Sequence, residues 1–262
     1  MALADDPETW PEDLTFAHQL AQTASRLSLD YFGSSTSHIK ADGTPVGEAD
    51  LAVDRALNEL IQSARPDDAI LSEESDPIGE SSRRWILDPI DGTVFFLAGG
   101  DTWGTHIALE ENDEVILGVV TRPLLSEVWW ALRDAGAWRG RVEHGRIVDS
   151  VRLRVSRIDR LAESRITVWP VGRHADLVAR AKQRARWSEP SALCVLDLLR
   201  GGFEAVCAYS GGPWDHAPTV VLVEEAGGRF CDPAGGRRLD LGGAIYTNGQ
   251  IDDELHQLLE GL

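Results

Sequence analysis

Apolar and polar positions alternate with two different periods along this chain. Ala17, Leu20, Ala21, Ala24, Leu27 and Tyr31 lie on one helical face, and Gly33 offers a C-terminal stop. After a polar stretch over 33–47, Ala49, Ala52, Val53, Ala56, Leu57, Leu60 and Ile61 define a second helix that ends before Pro66. Asp50 falls in its first turn, where a carboxylate suits the helix dipole. Short apolar runs then predict strands at 69–71 and 85–87, each followed at once by acidic residues. A meander is predicted over 105–109, 115–121 and 127–132, with turns at 110–114 and 123–126 and a further hairpin over 141–155 around His144-Gly145.

The second half mixes the two periods. Helices are predicted over 174–185, 191–200, 216–226 and 252–259, with strands at 205–209 and 244–247. Gly201-Gly202 and Gly227-Gly228 close two of these helices, and Pro218 is expected in a first turn, where its missing N–H costs nothing. The pattern as a whole is layered α/β, divided softly near residue 150 into 1–150 and 151–262. No repeat or low-complexity segment interrupts it.

Composition narrows the function classes. At 262 residues the chain is long enough for a full core without staples. Its formal charge of −18, from 43 Asp+Glu against 25 Lys+Arg, argues against a nucleic-acid partner, because phosphate backbones need a basic surface. Excess carboxylate fits a protein that gathers cations, although a solvated acidic surface is the commoner reason. Three scattered cysteines without CxxC spacing suit a reducing compartment rather than a disulfide scaffold. Residues 1–10 carry three acidic residues and no long apolar run, so no secretory signal is expected there. No stretch approaches the roughly 18 to 20 apolar residues of a membrane span, and a cytoplasmic protein is expected.

The candidate chemistry is carboxylate chemistry. Ser72-Glu73-Glu74 follows one predicted strand and Asp88-Pro89-Ile90-Asp91-Gly92-Thr93 follows another. In an extended Asp-Pro-Ile-Asp segment, both carboxylates and the Ile90 carbonyl can converge on one point, as a hard divalent cation requires. Taken singly, each feature has an ordinary reading: Asp-Pro and Asp-Gly form turns, Glu73-Glu74 is a solvated pair, and Asp215 is an N-cap. No GxSxG elbow, GxxxxGK[ST] loop or HExxH helix offers another mechanism.

Taken together they carry more. Trp85 to Thr93, preceded by Ser72-Glu73-Glu74-Ser75 and followed by Trp214-Asp215 and Glu225-Ala226-Gly227-Gly228, resembles the inositol monophosphatase family. Members of that family are lithium-sensitive, magnesium-dependent phosphomonoesterases. The stretch from Thr44-Pro45 to Asp50, Gly118-Val119-Val120 and Tyr246-Thr247-Asn248 also fit. Trp103 to Leu109 and Trp129-Trp130-Ala131 are most similar to the actinobacterial histidinol-phosphatase branch.

The resemblance implies an alternating helix and sheet sandwich, usually a homodimer, with most metal ligands in the first half and the second completing the site. It implies Glu73, Asp88, Asp91, Asp215 and the Ile90 carbonyl as ligands for about two or three Mg²⁺ ions. Asp50 and Thr93 match the pair that orients the attacking water, with Glu73 beside them in the catalytic set. Gly92 and Thr93, with Asp91, match the phosphate-binding turn, and Lys40 lies in a loop expected to be mobile and to help close the site.

Substrate positions depart from the family. Thr93 is followed by Val94-Phe95-Phe96 rather than an Asn-Phe pair, and Ala208 stands seven residues before Asp215, where a glutamate is common. Ser188-Glu189-Pro190-Ser191 replaces a Gly-Thr or Gly-Asp pair, with Glu189 and Ser191 as candidate substrate contacts. The function implied is hydrolysis of a small phosphorylated metabolite, with histidinol phosphate the specific expectation and inositol or sugar phosphates the alternative. A non-catalytic metal-binding relative is disfavoured because no ligand position is missing.

Overall fold

The structure, a computed structural model, describes residues 10–34, 36–40, 43 and 45–260. The reading of residues 1–10 as lacking a signal, and the Thr44 match, lie outside these residues, Trp10 apart.

The two periodic faces pack as predicted. Helix α1 (Glu12–Tyr31) buries Ala17, Leu20, Ala21 and Ala24. After a small antiparallel hairpin of β1 (Ser37–Ile39) and β2 (Pro45–Gly47), helix α2 (Glu48–Ala64) buries Ala49, Val53, Leu57 and Ile61. Both helices cover one face of a seven-stranded sheet. Its strands lie in sequence order: β3 (Ala69–Ser72), β4 (Arg83–Asp91), β5 (Gly104–Glu111), β6 (Glu114–Arg122), β7 (Glu127–Leu132), β8 (Gly136–Glu143) and β9 (Arg146–Arg152). Only β3 and β4 pair in parallel. Side chains alternate as a pleated sheet requires: Trp85 and Leu87 join the core under α1 and α2, whereas Ile86 joins the core on the other face.

A short helix, α3 (Thr93–Leu97), follows β4. Beyond β9 the chain builds β10 (Arg165–Trp169), α4 (Ala175–Arg184), β11 (Arg186–Trp187), α5 (Cys194–Leu199), β12 (Ala205–Ala208), α6 (Pro213–Glu225), β13 (Arg229–Cys231), β14 (Ala244–Thr247) and α7 (Asp252–Leu259). The second sheet runs β11-β10-β12-β14-β13, with β10 parallel to both of its neighbours. Helices α5 and α6 form the layer between the sheets, joined in one core with Ile86, Val120, Val206 and Tyr246. Helices α4 and α7 cover the outer face of the second sheet through Leu177, Ala181, Leu255 and Leu258. The order is helix, sheet, helix, sheet, helix, the layered α/β sandwich expected. Among the described residues no helix is long and apolar enough to cross a membrane.

Helix α6 lies very close to the large sheet. A Cβ at Gly118 of β6 would stand 2.4 Å from the Pro218 carbonyl oxygen and 2.7 Å from Val221 Cγ1, so only hydrogen fits there. Pro218 is the sixth residue of α6, not part of its first turn as expected; Pro213 occupies the first position, which tolerates proline best. Three further boundaries differ. The polar 33–47 stretch contains the β1–β2 hairpin, β8 begins at Gly136 rather than near Arg141, and the helix expected over 191–200 is only Cys194–Leu199. Strands β10, β11 and β13 were not expected.

Candidate active site

A bulge in β4 creates the centre of the site. Asp88 pairs with His106 and Asp91 with Gly104, so three steps on β4 oppose two on β5. Residues three apart on a regular strand face opposite sides; one extra residue returns Asp91 to the side that Asp88 faces. Pro89 sits within the bulge, where no N–H is needed for the ladder. The Thr105 hydroxyl donates to the Pro89 carbonyl at 2.9 Å and holds the bulge in place.

Two helix starts supply the flanking carboxylates by the same device. Asp50 is the third residue of α2, and its Oδ2 accepts the Gly47 N–H at 2.9 Å. Asp215 is the third residue of α6, and its Oδ2 accepts the Gly212 N–H at 2.6 Å. Each carboxylate caps its helix with one oxygen and leaves the other for the site. Asp215 is therefore inside the first turn rather than at the N-cap. Gly92 joins β4 to α3 at a φ of +85°, and a Cβ there would lie 2.7 Å from the Thr102 carbonyl.

Asp88, Asp91 and Asp215 each offer an oxygen, and these oxygens all lie within 4.8 Å of one another. Asp88 is 1% exposed, and its Oδ1 is buried with no hydrogen-bond partner. Burial first, then the charge of Glu73, Asp91 and Asp215, holds the Asp88 carboxyl well above the ordinary range. Asp91 is raised by burial and by Asp215 and Glu73, and Asp215 by burial against the pull of the Gly212 N–H. An all-oxygen set carrying this much unneutralised charge can hold a metal ion.

Thr93 and Asp50 meet as expected. The Thr93 hydroxyl lies 2.9 Å from Asp50 Oδ1 and 3.0 Å from the Ile90 carbonyl oxygen. Burial raises the Asp50 carboxyl, with the hydrogen bonds from Thr93 and Gly47 opposing it. Lys40 donates to Glu73 Oε1 at 2.9 Å and Glu74 Oε1 at 2.8 Å. Burial works against that ammonium, but the bonds to Glu74 and Glu73 prevail and raise its pKa. Glu74, pressed by burial and by Glu73, is pushed up to about 7 despite Lys40.

A cleft of about 350 Å³ opens here, and its lining includes Glu73, Asp88, Asp91, Gly92, Thr93, Ser191, Ala208 and Asp215, whereas Asp50 and Lys40 stand behind it, bonded to Thr93 and Glu73. Glu189 does not join them: it is exposed, and its Oε1 accepts the Trp187 indole N–H at 3.0 Å. Two histidines of the lining escaped the sequence reading. His106 lies buried with Nε2 3.5 Å from Asp91 Oδ2, and burial lowers its pKa to about 4, so that contact is no ion pair at neutral pH. His216, also lowered to about 4 by burial, has Nε2 3.0 Å from the Ser210 carbonyl oxygen and Nδ1 3.3 Å from the Tyr246 hydroxyl. A histidine in an apolar strand beside the acidic motif was the available signal for His106.

Comparison with known proteins agrees with this geometry. A family model described as the inositol monophosphatase family matches residues 10–261. A Streptomyces griseus protein named glucose-1-phosphate thymidylyltransferase is 41% identical over 94% of this chain and 96% of its own. The histidinol-phosphatase of Streptomyces coelicolor is 33% identical over 93% and 95%. Among solved structures, a Thermotoga maritima IMPase superposes with a TM-score of 0.82 at 29% identity, covering 95% of this chain and 97% of that one. The chain belongs to the inositol monophosphatase family of phosphoric monoester hydrolases.

Proposed function

We propose that the protein hydrolyses a small phosphate monoester with Mg²⁺ held by Glu73, Asp88, Asp91, Asp215 and the Ile90 carbonyl. The buried, partnerless Asp88 Oδ1 amid the converging carboxylates is the observation that carries this reading. The cleft lining contains no Lys or Arg among the described residues, and Lys40 pairs with Glu73 and Glu74 rather than with Asp88, Asp91 or Asp215. When bound, Mg²⁺ supplies charge neutralisation at the phosphate oxygens and acidifies water for in-line attack.

The chain's own groups then position that water. The Thr93 hydroxyl has one proton, directed to Asp50 or to the Ile90 carbonyl, which leaves an oxygen lone pair for the water's hydrogen. Asp50, anchored by the Gly47 N–H, fixes that orientation. Gly92 removes the side chain that would crowd the turn carrying Thr93. His106 and His216 stay neutral at neutral pH and add no charge to the wall.

Histidinol phosphate is the specific substrate this reading starts from, supported by the 33% identity to the S. coelicolor histidinol-phosphatase. A sugar phosphate is the alternative. The S. griseus relative's name denotes thymidylyl transfer, whereas the family model matching residues 10–261 is that of a phosphatase family. The homodimer implied by the family belongs to the same reading, and light scattering checks it. The deciding experiment is phosphate release from a panel of phosphorylated metabolites, with Mg²⁺ and with EDTA. Release that needs Mg²⁺ is expected; a folded protein that releases none, or is indifferent to EDTA, overturns the assignment.

A further inference from the structure

Of nine tryptophans, only Trp169 is exposed, at 47%, whereas Trp85, Trp103, Trp129 and Trp130 are at or below 1%. It lines the cleft with Val94, at 60%, and Phe95, at 39%. Large apolar side chains left open together inside a cleft mark a ligand contact. Their positions are set by the fold. Val94 and Phe95 follow Thr93 on α3, and that helix is pinned from beneath by Phe96, whose ring meets Trp103 at 4.8 Å.

Trp169 ends β10 and pairs in register with Ala208, the last residue of the parallel strand β12. Cys207 and Val168, one step back, join the core on the outer face, so Trp169 and Ala208 share the inner one. The carboxyl ends of parallel strands are where open α/β sheets receive ligands. Ala208 brings only a methyl group beside the indole, and Glu189 is turned to Trp187. Among the described residues, the acidic side chains lining the cleft are Glu73, Asp88, Asp91 and Asp215, all assigned above to the proposed metal site.

We propose that the alcohol half of the substrate carries a planar aromatic ring, seated on Trp169 and Phe95. This rests on the phosphatase reading, because a phosphate held through Mg²⁺ at the acid cluster is what would direct the leaving alcohol onto this surface. An aromatic ring gains stacking and loses little water there, whereas the hydroxyls of a polyol lose water without gaining a partner.

The test compares kcat/KM for 2-phenylethyl phosphate, 2-cyclohexylethyl phosphate and glycerol 1-phosphate, all esters of primary alcohols. Wild type should prefer the phenyl ester to the glycerol ester by about tenfold or more, with the cyclohexyl ester between. Trp169→Ala should cut the phenyl-to-glycerol ratio by about tenfold, and Trp169→Phe should restore most of it. Ala208→Glu should lower the same ratio by setting a carboxylate beside the indole. A ratio near one in wild type, a polyol preference, or a ratio unmoved by Trp169→Ala overturns the proposal. Failure of all three esters with Mg²⁺, together with failure of the metabolite panel, overturns the phosphatase reading instead.

Discussion

Replacing Asp91 with Asn should make the metal-free protein more stable and the enzyme nearly inactive. The oxygens of Asp88, Asp91 and Asp215 lie within 4.8 Å of one another. Two unit charges 4.8 Å apart at an effective dielectric constant of 20 repel by about 3.5 kcal/mol, and Asp91 has two such neighbours. Proton uptake limits this cost: holding a carboxyl of ordinary pKa protonated at pH 7.5 costs about 5 kcal/mol. Asparagine is isosteric and neutral, so it removes a repulsion of several kcal/mol, bounded by that value. In a chain of this size about 2 to 3 kcal/mol of gain raises the Tm by roughly 5 to 10 °C.

The pH dependence has a definite sign. The native pKa of Asp91 is raised, so the folded state binds the proton more tightly and stability falls as pH rises. The advantage of Asp91→Asn should be absent below about pH 4, where both states are protonated, and grow toward neutrality. Mg²⁺ should reverse the order, stabilising wild type by about 2.7 kcal/mol at a hundred times its Kd while shifting the variant little. Turnover should drop roughly 10²- to 10³-fold if about 3 to 4 kcal/mol of transition-state stabilisation is lost. Thermal unfolding in EDTA and in Mg²⁺ at pH 4, 6 and 7.5, beside phosphate release, measures all of this. An EDTA-treated variant no more stable than wild type at pH 7.5, or one that Mg²⁺ stabilises equally, refutes the reasoning.

Thr93→Ala should lower kcat with little change in KM, because the hydroxyl orients water rather than substrate; a rise in KM alone would reassign it as a binding group. Li⁺ should inhibit Mg²⁺-supported phosphate release, and indifference to Li⁺ would count against the ligand set. Ala208→Glu should raise kcat/KM for inositol 1-phosphate or histidinol phosphate by about tenfold, since a buried polar group without a partner costs about 1 to 3 kcal/mol. Efficient wild-type turnover of inositol 1-phosphate would contradict that view of Ala208. Gly118→Ala should destabilise the fold by about 1 to 3 kcal/mol, because α6 must move off β6; a Tm within a degree of wild type would show that α6 shifts freely.

The parts of the fold legible in sequence were those with a periodic face and a local signal. The faces of α1 and α2 each bury a regular stripe, and the acidic motif lies within a few residues of chain. Strand β10 gave no alternation because Ile166, Thr167 and Val168 are all buried, on both faces of the sheet. The β1–β2 hairpin has an entirely exposed first strand, so hydrophobic pattern could not reveal it. Helix α6 begins three residues before the expected start at His216, because Pro213 supplies the N1 signal and Pro218 is accommodated further in. The bulge was out of reach for another reason: it depends on the register of β5, which no residue of β4 specifies alone. Glu189 shows the limit for substrate contacts, since its direction is decided by a hydrogen bond to Trp187.

The carboxylates of the site arrive from separate parts of the sandwich. Asp50 starts a helix on the outer face of the large sheet, Asp88 and Asp91 flank the bulge in β4, and Asp215 starts the helix between the sheets. None of these elements can form the cluster alone. The Gly118–Pro218 approach fixes how close α6 comes to β6, and that approach sets where Asp215 stands relative to Asp88. A cation bound by Asp88, Asp91 and Asp215 would thereby be coupled to the docking of α6 on the sheet, while the mutual repulsion of these carboxylates opposes that docking. The same convergence leaves the ends of β10 and β12 beside the acid cluster. Trp169 and Ala208 consequently border the cluster of Asp88, Asp91 and Asp215 without belonging to it, so the apolar wall of the cleft can change there without altering those carboxylates.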